Sequence, residues 1–130
     1  MNITTGNFNT ESPSHRGWIM GHFMEDTSPF KTGNVEIKWG VHKKGENKEV
    51  VAQNSEAHSL GILIKGKFTF IFGDQKITLE KEGDYAFYPS GTAHSWTVEE
   101  DCLFLTIRWP SLPNDQKPVK LANPTSTSSQ

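Results

Sequence analysis

Apolar and polar residues alternate with a period of two over most of the chain, the spacing of strands that bury one face. The clearest run starts at Val35: Val35, Ile37, Trp39 and Val41 share one face, and Glu36, Lys38, Gly40 and His42 share the other. The apolar set is the expected core face, which leaves His42 toward solvent unless Gly40 permits a bulge that turns it. Upstream, residues 18–24 (WIMGHFM) predict a first strand closed by a polar loop over 25–30, with His22 a half-exposed strand residue. Downstream, residues 50–59 lead into a strand over 60–64, Lys65-Gly66-Lys67 turns the chain, and 68–72 forms the next strand. Gly73-Asp74-Gln75 is a hairpin turn that sets Phe68, Phe70 and Phe72 against Ile77 and Leu79, as core.

The second half repeats the pattern. Residues 84–88 form a strand, and beyond a Pro89-Ser90-Gly91 turn His94, Trp96 and Val98 share a face opposite Ser95 and Thr97. Glu99-Glu100-Asp101 reads as an exposed acidic turn, because consecutive acids in extended chain alternate direction and do not converge on a metal. In the last strong strand, 102–109, Leu103, Leu105, Ile107 and Trp109 face one way and Phe104, Thr106 and Arg108 the other, a strand covered on both sides. Arg108 suits a carboxylate ligand or an ion pair within the chain, and the ion pair is the simpler reading. Short strands separated by turns point to a sandwich or barrel. No stretch predicts a helix, and there is no repeat, phosphate-binding loop or nucleophile motif.

With 130 residues the chain is one domain by size. Residues 1–14, rich in Asn, Thr and Ser, predict a flexible lead-in; 15–112 form the domain; 113–130 form a polar tail in which Val119 and Leu121 are the residues able to dock. Eight Phe and four Trp suit pleated, half-buried surfaces. Thirteen Lys and Arg against fifteen Asp and Glu leave no basic stripe, which argues against a nucleic-acid partner. Cys102 is the only cysteine, so no internal disulfide forms, and followed by Leu103 and Phe104 it reads as a small buried hydrophobe. Nothing resembles a signal peptide or a membrane span, so no membrane partner is expected and a cytoplasmic location is the default.

The stretch with the most chemistry is 83–94, GDYAFYPSGTAH. Gly83 supplies a turn, Pro89 ends a strand by removing a backbone donor, Gly91 completes a tight turn, and His94 opens the next strand on its bulky face. Glycine, proline, glycine and histidine at this spacing resemble the second sequence motif of the cupins, with Val98 where that motif often ends in Asn. The resemblance implies an all-β, antiparallel jelly-roll barrel with an internal pocket, a histidine at the His94 position that is often a metal ligand, and a homodimer.

The first cupin motif is degraded. Counting back from Gly66, its glutamate position falls on Ser59, and its two histidine positions on Gln53 and Ser55 or on Ala52 and Asn54. A catalytic divalent metal needs about three protein ligands from His, Asp, Glu or Cys. Here His94 and His58 are the metal candidates, with His58 one residue out of phase; a set of His42, His58 and His94 would need two local adjustments. Two functions stay open. One is a small-molecule-binding pocket, without a complete metal site, lined by Gln53, Ser55, His94, Trp96 and either Tyr85 or Tyr88. The other is a small-molecule enzyme of isomerase, lyase or dioxygenase type. Its metal form would use a divalent transition metal on His94 and His58; its metal-free form would use His94 as general base and a tyrosine as acid. The plainest alternative is a core histidine satisfied by a hydrogen bond.

Overall fold

The computed structural model describes residues 2–120. Eight strands follow a short helix α1 (Phe8–Glu11) and a 3-10 turn (Ser12–His15): β1 (Trp18–Met20), β2 (Glu36–His42), β3 (Ala52–Asn54), β4 (His58–Phe72), β5 (Gln75–Leu79), β6 (Tyr85–Tyr88), β7 (Ser95–Trp109) and β8 (Gln116–Pro118). The larger sheet runs β1-β2-β7-β4-β5 with β6 also paired to β4, and β3 pairs β8 in a second sheet. Every named pairing is antiparallel. The two sheets are linked where Ala52 and His94 exchange both backbone hydrogen bonds, at 2.9 and 3.0 Å.

β4 and β7 are single strands of fifteen residues, where the sequence predicts a break in each. The expected turn at 65–67 is instead a run of register shifts within the β4–β7 pairing. Gly66 makes it possible: its φ is 98°, and a Cβ there would clash with the backbone carbonyl of Asp101. Two strands bent together at a bulge keep their hydrogen bonds on both sides of it, so neither has to end. Glu99, Glu100 and Asp101 are exposed, as expected, but they lie inside β7. The β4–β5 hairpin has the expected register, with Phe68 opposite Leu79 and Phe70 opposite Ile77. Phe68, Phe70, Leu63, Val98 and Phe104 are buried core, and the Phe68 and Phe104 rings stack at 4.0 Å.

β2 reverses expectation. Glu36, Gly40 and His42 are buried, whereas Val41 is 60% exposed. The partner strand decides this: Glu36, Lys38, Gly40 and His42 lie opposite Arg108, Thr106, Phe104 and Cys102, and residues directly opposite share a face. The outward apolar residues are covered from an unexpected source. Phe8 packs on Trp39 and Phe30 at ring distances of 6.0 and 5.9 Å, and Asn9 Oδ1 accepts a hydrogen bond from Trp39 Nε1 at 2.8 Å. Phe8–Glu11, inside the segment 1–14 predicted as a flexible lead-in, is therefore helical and docked on the face of β2 expected to be core.

Residues 115–119 of the predicted tail also join the fold. Asp115 is buried, β8 pairs with β3, and the Val119 amide donates to the Val51 carbonyl at 2.8 Å. Leu121 lies outside the described residues. β1 is shorter than predicted and ends at Met20, and His22 Nδ1 lies 2.7 Å from Ser111 Oγ. Among the described residues no helix is long and apolar enough to cross a membrane.

Candidate functional site

A cavity of about 280 Å³ opens between the sheets. Its floor is aromatic, formed by Phe68, Phe70 and Phe104 from β4 and β7, with Gly61 leaving room where a Cβ would strike the Phe104 ring. Above them stand His42 from β2, Tyr88 from the end of β6, His94 just before β7 and Trp96 near its start. The turn at Pro89 and Gly91, where φ is 79°, brings Tyr88 and His94 together with their ring centroids 4.6 Å apart.

Both cavity histidines have one nitrogen committed. His94 Nδ1 is 3.0 Å from the Thr92 carbonyl, which can only accept, so Nδ1 carries the proton and Nε2 is a bare acceptor. His42 Nδ1 lies 3.0 Å from Glu46 Oε1, which fixes the same tautomer. Burial holds the His94 imidazole below its ordinary value, against the Thr92 hydrogen bond and with help from Arg108 and Lys48. Burial likewise lowers His42, outweighing the hydrogen bond to Glu46. Burial raises the Tyr88 phenol, so it stays a neutral donor at neutral pH.

The remaining wall is cationic. Arg16, Lys38, Lys48 and Arg108 all line the cavity, and no Asp or Glu does. Arg108 Nη1 donates to Glu36 Oε2 at 3.1 Å, so the ion pair expected for it forms, while its buried Nε has no partner among the described residues. Lys48 Nζ donates to the Gln116 side-chain oxygen at 3.1 Å. Lys38 Nζ and the Arg108 guanidinium lie over the Trp18 ring, 5.9 and 5.1 Å from its centroid. Burial and then Arg108 hold both lysines below the ordinary ammonium value.

Solved structures share this architecture at low identity. A double-stranded β-helix domain protein from Klebsiella pneumoniae superposes with a TM-score of 0.59 at 17% identity, over 69% of this chain and 78% of that one. A cupin-2 domain protein from Shewanella frigidimarina gives 0.54 at 22% identity, over 78% and 90%. The chain has the cupin fold. A sugar phosphate isomerase of the cupin superfamily from Silicibacter pomeroyi gives 0.53 at 15% identity, over 58% of this chain and 50% of that one. No protein-family model matches the chain, and no curated protein does.

Within this cupin fold, the residues expected at the site divide. His94, Trp96 and Tyr88 line the cavity. Tyr85 does not: alternation along β6 turns Ala86 and Tyr88 inward and leaves Tyr85 67% exposed. Gln53 and Ser55 do not line it either, because the bridge to His94 buries Ala52 and Asn54 on the inward side, and Ser55 is exposed. His58 is on the outer face of β4, with its ring between Phe87 and Trp109 and its Nδ1 accepting from the Ser90 amide at 3.2 Å, while Ser59 is buried. His42, read as solvent-facing, is in the cavity.

A cupin metal centre does not suit these residues. His58 and His94 do not converge, and among the described residues no group of three or more His, Cys, Asp or Glu side chains can hold a metal ion. The two cavity imidazoles share their walls with four cationic side chains, which repel a divalent cation. The unforeseen members of the site are Lys38, Lys48, Arg16, Trp18, Thr106 and Gln116. A signal for some of them exists in the sequence: polar residues at i, i+2 spacing occur both in β2 and at Thr106 and Arg108 of β7, and pairing sets them opposite one another.

Proposed function

We propose that this protein is a small-molecule-binding cupin whose ligand sits in the cavity around His94 without a metal ion. The observation that carries the reading is the donor and acceptor set: a bare imidazole Nε2 on His94, a neutral Tyr88 phenol beside it and an aromatic floor. Such a combination orients a polar organic molecule while burying its apolar surface. The same pair favours a second reading, a metal-free isomerase or lyase in which His94 Nε2 takes a proton from a carbon next to a carbonyl and Tyr88 donates to the oxygen. The sugar phosphate isomerase among the structural neighbours supports this second reading only as a precedent for the fold. A homodimer is part of the proposal, on the cupin resemblance.

Native mass spectrometry of the protein purified without chelator tests the binding reading, together with elemental analysis. A retained organic mass, absent in His94→Gln and reduced in Tyr88→Phe, with no stoichiometric metal, supports it. One transition metal per chain that His94→Gln abolishes would overturn the metal-free reading. Solvent-deuterium incorporation into a released ligand, lost in His94→Gln, would select the enzyme over the binding protein.

A further inference from the structure

The charge of the chain and the charge of its cavity have opposite signs. The whole sequence carries a net charge of −2, yet the cavity lining contains two arginines and two lysines and, among the described residues, no carboxylate. Three acids lie nearby, and each is already engaged. Glu36 is held by Arg108 and by Ser111 Oγ at 2.8 Å. Glu46 takes the proton-bearing Nδ1 of His42 and the Lys43 amide at 2.8 Å. Asp115 accepts from Asn54 Nδ2 and from the Glu56 and Ala57 amides at 2.9 to 3.0 Å.

Lys38 is left over. Among the described residues its ammonium makes no ion pair with any carboxylate, although the side chain is half-buried between β1 and β7 neighbours. Among the same described residues Lys48 finds only a neutral amide oxygen, and the Arg108 Nε finds no partner. A partly buried cation normally sits beside a counter-charge, because like charges held together out of water raise the energy of the fold. Several such cations facing one cavity make a site that a multi-oxygen anion neutralises through charge-assisted hydrogen bonds.

We propose that the ligand of this cavity carries an oxyanion group, a carboxylate or a phosphate, held by Lys38, Lys48 and Arg108 with Arg16 at the rim, while its uncharged part meets His94 and Tyr88. The proposal rests on the reading that the cavity is the ligand site. Trp18, under Lys38 and Arg108, and Trp96, beside His42 at 5.0 Å, place a fluorescence reporter at each side of it.

The test is a tryptophan-fluorescence titration of the full chain with inorganic phosphate, with glutarate and with neutral sorbitol, at low and high sodium chloride. A saturable response to phosphate or glutarate is expected, weakened by salt and weakened about tenfold or more in Lys38→Met and in Lys48→Met. Lys43→Met, whose side chain is exposed near Asp101, should bind as the wild type does. Phosphate binding without glutarate binding assigns a phosphate ligand, and the reverse assigns a carboxylate. If Lys38→Met does not fold, Lys48→Met carries the test. Saturable sorbitol binding that is insensitive to both lysine substitutions would overturn the oxyanion assignment and leave the cavity as a ligand site. No saturable response to any of the three probes would overturn both.

Discussion

His42 and Glu46 are joined at 3.0 Å across the first turn after β2, with the imidazole facing the cavity and the carboxylate facing solvent. The ion-pair partner does not keep the ring charged, because burial lowers the His42 value more than Glu46 raises it. His94 is lowered by burial in the same way. The unfolded chain therefore binds more protons than the native one between these depressed values and about 6.5, and stability rises with pH across that window. Thermal melts from about pH 7 down to about pH 5 should show a falling midpoint, and the double variant His42→Gln, His94→Gln should flatten the slope. Glu46, lowered by its hydrogen bond to His42, adds a further loss in the same direction at lower pH.

Lys38 and Lys48 predict the pH dependence of ligand binding with the opposite slope. Lys38 is lowered by burial, then by Arg108, Lys48 and Arg16, with Glu46 opposing; Lys48 is lowered by burial and Arg108. A bound oxyanion favours the charged ammonium, so binding takes up protons once pH enters the range of the depressed lysine values. Glutarate, whose own carboxylates titrate far below, should bind more weakly as pH is raised from about 7 to about 9.5. Lys38→Arg, charged throughout, should reduce that dependence in an isothermal titration.

Gly66 is the position where one methyl group should do the most damage. Alanine there meets both the positive φ and the Asp101 carbonyl, whereas alanine at Gly73, with φ 60°, meets open space. Urea melts should show Gly66→Ala losing about 2–4 kcal/mol and Gly73→Ala about 1 kcal/mol. Equal losses would mean that the bulge relaxes around the added carbon.

Phe8→Ala should lower stability by about 2 kcal/mol, roughly half the cost of emptying a fully buried phenylalanine site, because Phe8 is half-buried against Phe30 and Trp39. The Trp39 emission should shift to the red as the helix loosens. A variant as stable as the wild type would mean that α1 contributes nothing to covering β2.

Asp115 organises the junction of the two sheets. Its carboxylate accepts three hydrogen bonds, from Asn54 and from the Glu56 and Ala57 amides. Asp115→Ala leaves those donors unmet and should cost about 3 kcal/mol, with Asp115→Asn recovering part of it. Because Asn54 lies between Ala52 and the Gly91 amide, which donates to its carbonyl at 2.7 Å, the same substitution should also weaken ligand binding at His94.

Much was legible from local pattern alone. Period-two alternation and turn residues suffice for an antiparallel all-β chain, and the β4–β5 hairpin register follows from the Phe68, Phe70 and Phe72 set. The spacing from Gly83 to His94 located the turn that presents Tyr88 and His94, since turn chemistry depends on a few adjacent residues. What alternation could not supply is which of two faces points inward. In β2 the apolar face looked like core by composition, but pairing with β7 turned Lys38 and His42 into the cavity and left Trp39 to be covered by Phe8. The same ambiguity separated Tyr88 from Tyr85 and Ser59 from His58, since one residue of phase moves a side chain to the other side of the sheet. The sequence by itself determined the all-β character, the β4–β5 hairpin and the turn that leads into His94, because these depend on neighbours along the chain, whereas the continuity of β4 and β7 through Gly66 depends on their pairing. Only the tertiary structure decided that Arg16, Lys38, Lys48 and Arg108 share one wall, because like charges from separate segments are gathered by strand register and not by anything local to each.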